Sequence, residues 1–158
     1  MAFGMVADAQ TRLLLLGSLP GRQSLAAGRY YAHPRNQFWR LLSPVVGADL
    51  TAMEYQARLA ALLGAGIGLW DVVESARRRG SLDADLREVE ARDLRSAAAG
   101  LPALRAMAFN GAKAYAIARA QLGDDAPVPL IALPSSSPAH AVGIAAKQPP
   151  WTALREWL

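Results

Sequence analysis

Four short apolar runs punctuate the chain, and each stops at a glycine or a polar turn. They are Leu13–Leu16 before Gly17, Gly66–Trp70 before Asp71, Arg105–Phe109 before Asn110, and Val128–Leu133 before Pro134. Continuous rather than alternating apolar character suits strands buried on both faces. Between the runs, apolar positions recur with helical spacing. Residues 36–46 carry Phe38, Trp39, Leu41 and Leu42, residues 51–63 carry Met53, Leu59, Leu62 and Leu63, and residues 111–122 carry Tyr115, Ala118 and Leu122. The stretch 83–99, rich in Ala, Leu, Arg and Glu, is predicted as a helix closed by Leu101-Pro102, and a last helix is predicted from Pro149, with proline near its start. Strands alternating with helices predict an α/β fold. We expect one domain over residues 1–158, in three α/β/α layers around a mostly parallel four-stranded central sheet.

In such sheets ligands bind beyond the carboxyl ends of the strands. The four expected strands end in GSLPG (from Gly17), Asp71, Asn110-Gly111 and PSSSPAH (from Pro134), so these turns share one edge. That edge is the predicted site.

Composition narrows the chemistry. Cysteine is absent, which removes disulfide frameworks, thiolate metal sites and cysteine nucleophiles. Only His33 and His140 are present, so no metal site and no cofactor are expected. Residues 1–10 have neither the charge nor the apolar run of a secretion signal, and Leu13–Leu16 is too short to cross a bilayer. A cytoplasmic protein with no membrane partner is expected. The net charge of +4 favours a polyanion, because arginines that neutralise phosphates release counterions.

The segment Gly17–Trp39, GSLPGRQSLAAGRYYAHPRNQFW, reads as a long loop, and long ordered loops in compact domains are usually functional. Gly17, Pro20 and Gly21 shape a turn that brings backbone N–H groups close to a ligand, with Ser18 inside it. Arg22, Arg29 and Arg35 are interleaved with Tyr30, Tyr31 and His33, the mixture a binder of phosphates and an exposed base needs. Either tyrosine could be the stacking platform. Ser135, Ser136 and Ser137 offer hydroxyls and N–H groups to phosphates, and His140 could reach a phosphate or sugar. Asn110 reads equally as a ligand contact or a helix cap. Arg77, Arg78 and Arg79 form a basic run that could lie along a duplex or simply be solvated.

Together, GSLPG, YYAHPRNQFW, GIGLWD, FNG and LPSSSPAHA resemble the uracil-DNA glycosylase superfamily, in the order its motifs take. The first two resemble the leading motif region of the mismatch-specific uracil and thymine glycosylases, and LPSSSPAHA their second motif. The whole set is most similar to the hypoxanthine-DNA (deoxyinosine) glycosylases. The resemblance spans Gly17 to about His140. It implies a uracil-DNA glycosylase-like fold and a monomeric base-excision repair enzyme, acting on DNA that contains a deaminated base.

Three positions depart from the superfamily pattern. Leu19 stands where a water-activating Asp or Asn is usual, Leu133 where the second motif opens with His or Asn, and Ala139 where thymine glycosylases have an arginine wedge. Leucine neither donates nor accepts a hydrogen bond. The resemblance to the hypoxanthine branch therefore moves the catalytic part to Asn36, which could orient a water through its carbonyl or cap the helix that follows. It places Asp71 at the base edge, able to accept from N1–H of hypoxanthine or N3–H of uracil. A charged carboxylate there opposes negative charge on the leaving base, so either Asp71 is protonated or nearby N–H groups offset it. The alternative for Asp71 is a cap on residues 72–77.

A Ser18–His140–Asp71 hydrolase is excluded because GSLPG is not the G-x-S-x-G elbow, and no P-loop lysine follows the glycine turn. Removal of hypoxanthine is the expected activity. Uracil or mismatch excision is the alternative, and a catalytically weak DNA-binding module of the same fold is the non-enzyme reading.

Overall fold

The computed structural model describes residues 3–77 and 87–158. In chain order the elements are β1 (Leu13–Gly17), α1 (Arg22–Ala27), α2 (Phe38–Val46), α3 (Tyr55–Gly64), β2 (Ile67–Asp71), β3 (Val73–Arg77), β4 (Arg87–Ala91), α4 (Leu94–Ala99), β5 (Ala106–Asn110), α5 (Ala112–Leu122), β6 (Leu130–Leu133) and α6 (Ile144–Thr152). Short 3-10 turns lie at Leu50–Ala52 and Ala153–Trp157.

The central sheet has the order β2-β1-β5-β6 and is parallel throughout. Successive side chains on a strand point to opposite faces, and the core divides accordingly. Leu13 and Leu15 of β1, with Ala106 and Ala108 of β5, pack on the face covered by α2, α3 and α6. Leu14, Leu16, Met107 and Phe109 pack on the face covered by α4 and α5. A strand with helices on both sides must be apolar at every position, which is why β1 reads LLLL. Each fully buried leucine contributes about 1.5–3 kcal/mol.

From β1 the chain crosses to β2 on one side, then returns past β1 to β5 and β6 on the other. The reversal leaves a crevice at the carboxyl ends of β1 and β5, where such sheets bind ligands. Register places Gly17 beside Asp71 and Asn110 beside Leu133, so all four strand ends meet at one edge. No helix among the described residues is long and apolar enough to cross a membrane.

Three sequence expectations change. The Gly17–Trp39 segment is not wholly loop, because α1 occupies its middle and ends at Gly28 in the left-handed conformation. The stretch 83–99 is not one helix. Arg87–Ala91 pairs antiparallel with Val73–Arg77, and helix resumes only at Leu94, capped by the Asp93 side chain accepting from Ser96 N–H. The helical propensity of REVEA yields to the strand pairing that β3 offers. Residues 83–86, and Arg78 and Arg79 of the basic run, lie outside the described residues. The final helix starts at Ile144 and carries Pro149 and Pro150 within it.

Candidate active site

A cleft of about 490 Å³ opens at the shared strand edge, within the range of pockets that hold one small ligand. It is lined by Gly17, Ser18, Pro20 and Gly21 after β1, and by Tyr30, Tyr31, His33 and Asn36 before α2. Asp71 enters from β2, Asn110 from β5, and Ser135, Ser136, Ser137 and His140 from the turn after β6. Arg22 and Arg35 are exposed and stand outside the lining.

Gly17 sets the floor. A Cβ there would lie 2.9 Å from Asp71 Oδ1 and 2.9 Å from Tyr31 Oη. Only a residue without a side chain lets the carboxylate and the phenol converge on the end of β1. Asp71 is buried, at 3% exposure. Its capping alternative fails, since the chain after it continues as strand, not helix.

The two tyrosines separate cleanly. Tyr30 is buried, donates its hydroxyl to Gly4 O at 2.9 Å and meets Phe3 edge-on. Burial, and next the negative charge of Asp71, push its phenol far above the usual tyrosine range. Tyr31 is half-buried and stacks on Phe38, with centroids 3.8 Å apart and planes 8° from parallel. Its φ of 54° is left-handed, a conformation non-glycine residues rarely adopt and one that clusters at functional sites.

Asn36 sits one residue before the N-cap of α2, and its Oδ1 accepts from Phe38 N–H at 3.0 Å. The same oxygen accepts from Ser136 Oγ at 2.7 Å. Ser136 is fully buried: its Oγ accepts from Asn110 Nδ2 at 2.8 Å, and its N–H donates to Asn110 Oδ1 at 2.8 Å. This alters two sequence readings. The Ser136 hydroxyl and N–H face Asn36 and Asn110 rather than a phosphate. Asn110 is no helix cap either, since Gly111 holds that position in α5 and the Asn110 amide is committed to Ser136. The Asn36 carbonyl, expected to hold a water, already has two donors.

His33 accepts at Nδ1 from Arg35 N–H at 3.0 Å, so its neutral form carries the proton on Nε2. His140 is exposed at the end of the serine turn. Leu19 packs in the core beside Val72 and Val73, and Leu133 is buried at the end of β6, so neither supplies a polar group.

The sequence reading missed Lys147. Its side chain is 1% exposed, and Nζ donates to Gln37 Oε1 at 2.7 Å and to Ser137 O at 3.4 Å. Burial lowers its pKa below the usual lysine value. Gln37 N–H also donates to Ser136 O at 3.0 Å, and Trp151 Nε1 to Pro134 O at 3.0 Å. Together α6 and the start of α2 fix the serine turn from behind. Nothing local in the sequence marks this lysine, which sits among alanines and prolines.

A doubly wound sheet, a glycine-floored cleft and a buried strand-end carboxylate match one family over nearly the whole chain. The profile described as the uracil DNA glycosylase superfamily covers residues 3–157, and the chain belongs to that superfamily. It is a DNA glycosylase. Among similar proteins, the hypoxanthine DNA glycosylase of Methanosarcina acetivorans is 36% identical over 154 residues, covering 96% of this chain and 95% of that protein. That of Methanosarcina barkeri is 42% identical over 111 residues, 70% of each chain. A solution NMR structure from Methanosarcina acetivorans, provisionally assigned as a uracil DNA glycosylase, superposes with a TM-score of 0.83 at 35% identity. It covers 97% of this chain and 94% of its own.

Proposed function

We propose that the protein removes hypoxanthine from deoxyinosine in DNA by hydrolysis and leaves an abasic site. The observation that carries this reading is the buried Asp71 carboxylate, set against Gly17 beside Tyr31 in a cleft with room for a nucleotide. A carboxylate accepts from N1–H of hypoxanthine or N3–H of uracil, and the Tyr31 ring, backed by Phe38, supplies a face for the extruded base. Between the two bases, the relatives named hypoxanthine DNA glycosylases support hypoxanthine.

In the reaction the C1′–N9 bond breaks and its electron pair enters the purine. The hydroxyl of water bonds to C1′, and the remaining proton completes the released base. Asn36 is the catalytic residue in this reading. Ser18, Pro20, Gly21, His33, Ser135, Ser137 and His140 hold the nucleotide and its flanking phosphates, with Arg22 and Arg35 outside the cleft meeting the duplex. Lys147 Nζ is buried against Gln37 and Ser137 and Lys113 stands outside the cleft lining, so no lysine amine faces the cleft and strand cleavage is not expected. We propose a monomer working in the cytoplasm, with a single domain over residues 1–158 supported by the family profile's span of residues 3–157.

A product assay on duplexes carrying deoxyinosine, deoxyuridine, deoxyxanthosine or ethenodeoxycytidine tests the reading. Hypoxanthine should be the fastest product. Faster uracil release would move the assignment to the uracil branch, and duplex binding without any release would make the protein a silent DNA-binding module. Asn36→Ala should slow single-turnover release about 100-fold or more with little change in DNA affinity.

A further inference from the structure

We propose that Asn36 works as a hydrogen-bond donor to the departing base, held in that orientation by Ser136 and Asn110 as positioning residues. The proposal rests on the hypoxanthine reading above for the identity of the base.

The polarity follows from two backbone N–H groups, which can only donate. Ser136 N–H points at the Asn110 amide, so the atom facing it is the carbonyl oxygen, and the Asn110 NH2 turns to Ser136 Oγ. Having accepted there, the hydroxyl spends its single proton on Asn36 at 2.7 Å. Phe38 N–H points at the same Asn36 atom at 3.0 Å. Two donors aimed at one atom make it the oxygen. The Asn36 Nδ2 donates to no described residue, and Asn36 lines the cleft. Its two N–H bonds are what the residue offers a substrate.

A donor in that place suits the chemistry better than an acceptor. As the C1′–N9 bond breaks, negative charge spreads over N3, N7 and O6 of the purine, and a fixed NH2 group stabilises it. The same donor offsets the opposing field of Asp71. A water oriented by the Asn36 carbonyl would need an oxygen that Ser136 and Phe38 have already filled. Because the Asn110–Ser136 pair is buried, the amide is set before substrate arrives and needs no reorganisation during the reaction.

Asn36→Asp separates the two roles, because a carboxylate accepts but does not donate. Single-turnover release from a deoxyinosine duplex should fall about 100-fold at neutral pH and recover as the pH is lowered and the carboxyl gains a proton. A variant as fast as the parent, or faster with rising pH, would overturn the donor role. Ser136→Ala should slow the chemical step about 10-fold at unchanged duplex affinity, and Ser136→Thr should restore most of it. A full rate in Ser136→Ala would overturn the positioning role. On the free protein, the 15N side-chain amide signal of Asn36 should shift in Ser136→Ala while backbone amides away from the turn hold still. An unmoved signal counts against the linkage whether or not any base is released. Failure of every substrate with the parent protein would remove the functional reading, and the amide signal would still decide the orientation.

Discussion

Gly17 shows how much of the site hangs on single atoms. Asp71 Oδ1 and Tyr31 Oη both stand 2.9 Å from where its Cβ would be, closer than a real Cβ contact, so one of them must shift if a side chain is added. Gly17→Ala should therefore displace the base-facing pair, costing about 1–3 kcal/mol of stability and most of the excision rate. Thermal melts and single-turnover assays check both. Asp71→Asn turns half of the carboxylate into a donor, so hypoxanthine release should fall about 10-fold or more while uracil release gains on it. Release of both bases at the parent rate would remove Asp71 from base recognition. Asn36 was picked out by the resemblance to the hypoxanthine branch, whereas Gly17 and Asp71 were legible as cleft residues because each closes an apolar run. The orientation of the Asn36 amide was not, since it depends on a serine 100 residues away. The division of labour between Tyr30 and Tyr31 was equally hidden, because it turns on Phe3, Gly4 and Phe38 contacts that no local pattern carries.

At the scale of elements, α6 bears more of the site than its sequence suggests. It carries Lys147 under Gln37 and Ser137, and Trp151 under Pro134. Burial disfavours the Lys147 ammonium, so its folded pKa lies below the unfolded 10.5. Between those two values the unfolded chain binds more protons, and the lysine's burial penalty fades as pH rises. Below that window the penalty is present in full. Lys147→Met lacks the penalty but leaves Gln37 Oε1 without its donor, which costs about 1–3 kcal/mol. The parent should thus gain melting temperature relative to Lys147→Met as the pH climbs toward 10.5. A difference independent of pH would mean that folding leaves the lysine's pKa unshifted. Strands β1, β2 and β5 were readable because their burial leaves an unbroken apolar run, and β6, only partly buried at the sheet edge, was readable from its apolar residues alone. Arg87–Ala91 was not, because its Glu and Arg content favours helix and only the neighbouring β3 makes it a strand.

For the molecule as a whole, a charge of +4 and the exposed Arg22 and Arg35 outside the cleft predict salt-sensitive binding. If Arg35 meets a phosphate, Arg35→Ala should lower the slope of log K against log salt by about 0.9 and weaken deoxyinosine and undamaged duplexes alike. Unequal loss would place Arg35 at the base instead. One long contact has a consequence for the order of synthesis. Asn36 belongs to the early part of the chain, but Ser136, which sets its amide, lies 100 residues later, and Lys147 later still. Synthesis must therefore run 100 residues past Asn36 before the serine that sets its amide exists. Any product cut short of Ser136 carries Asn36 without the group that orients it, so in the reading proposed above it should release no base.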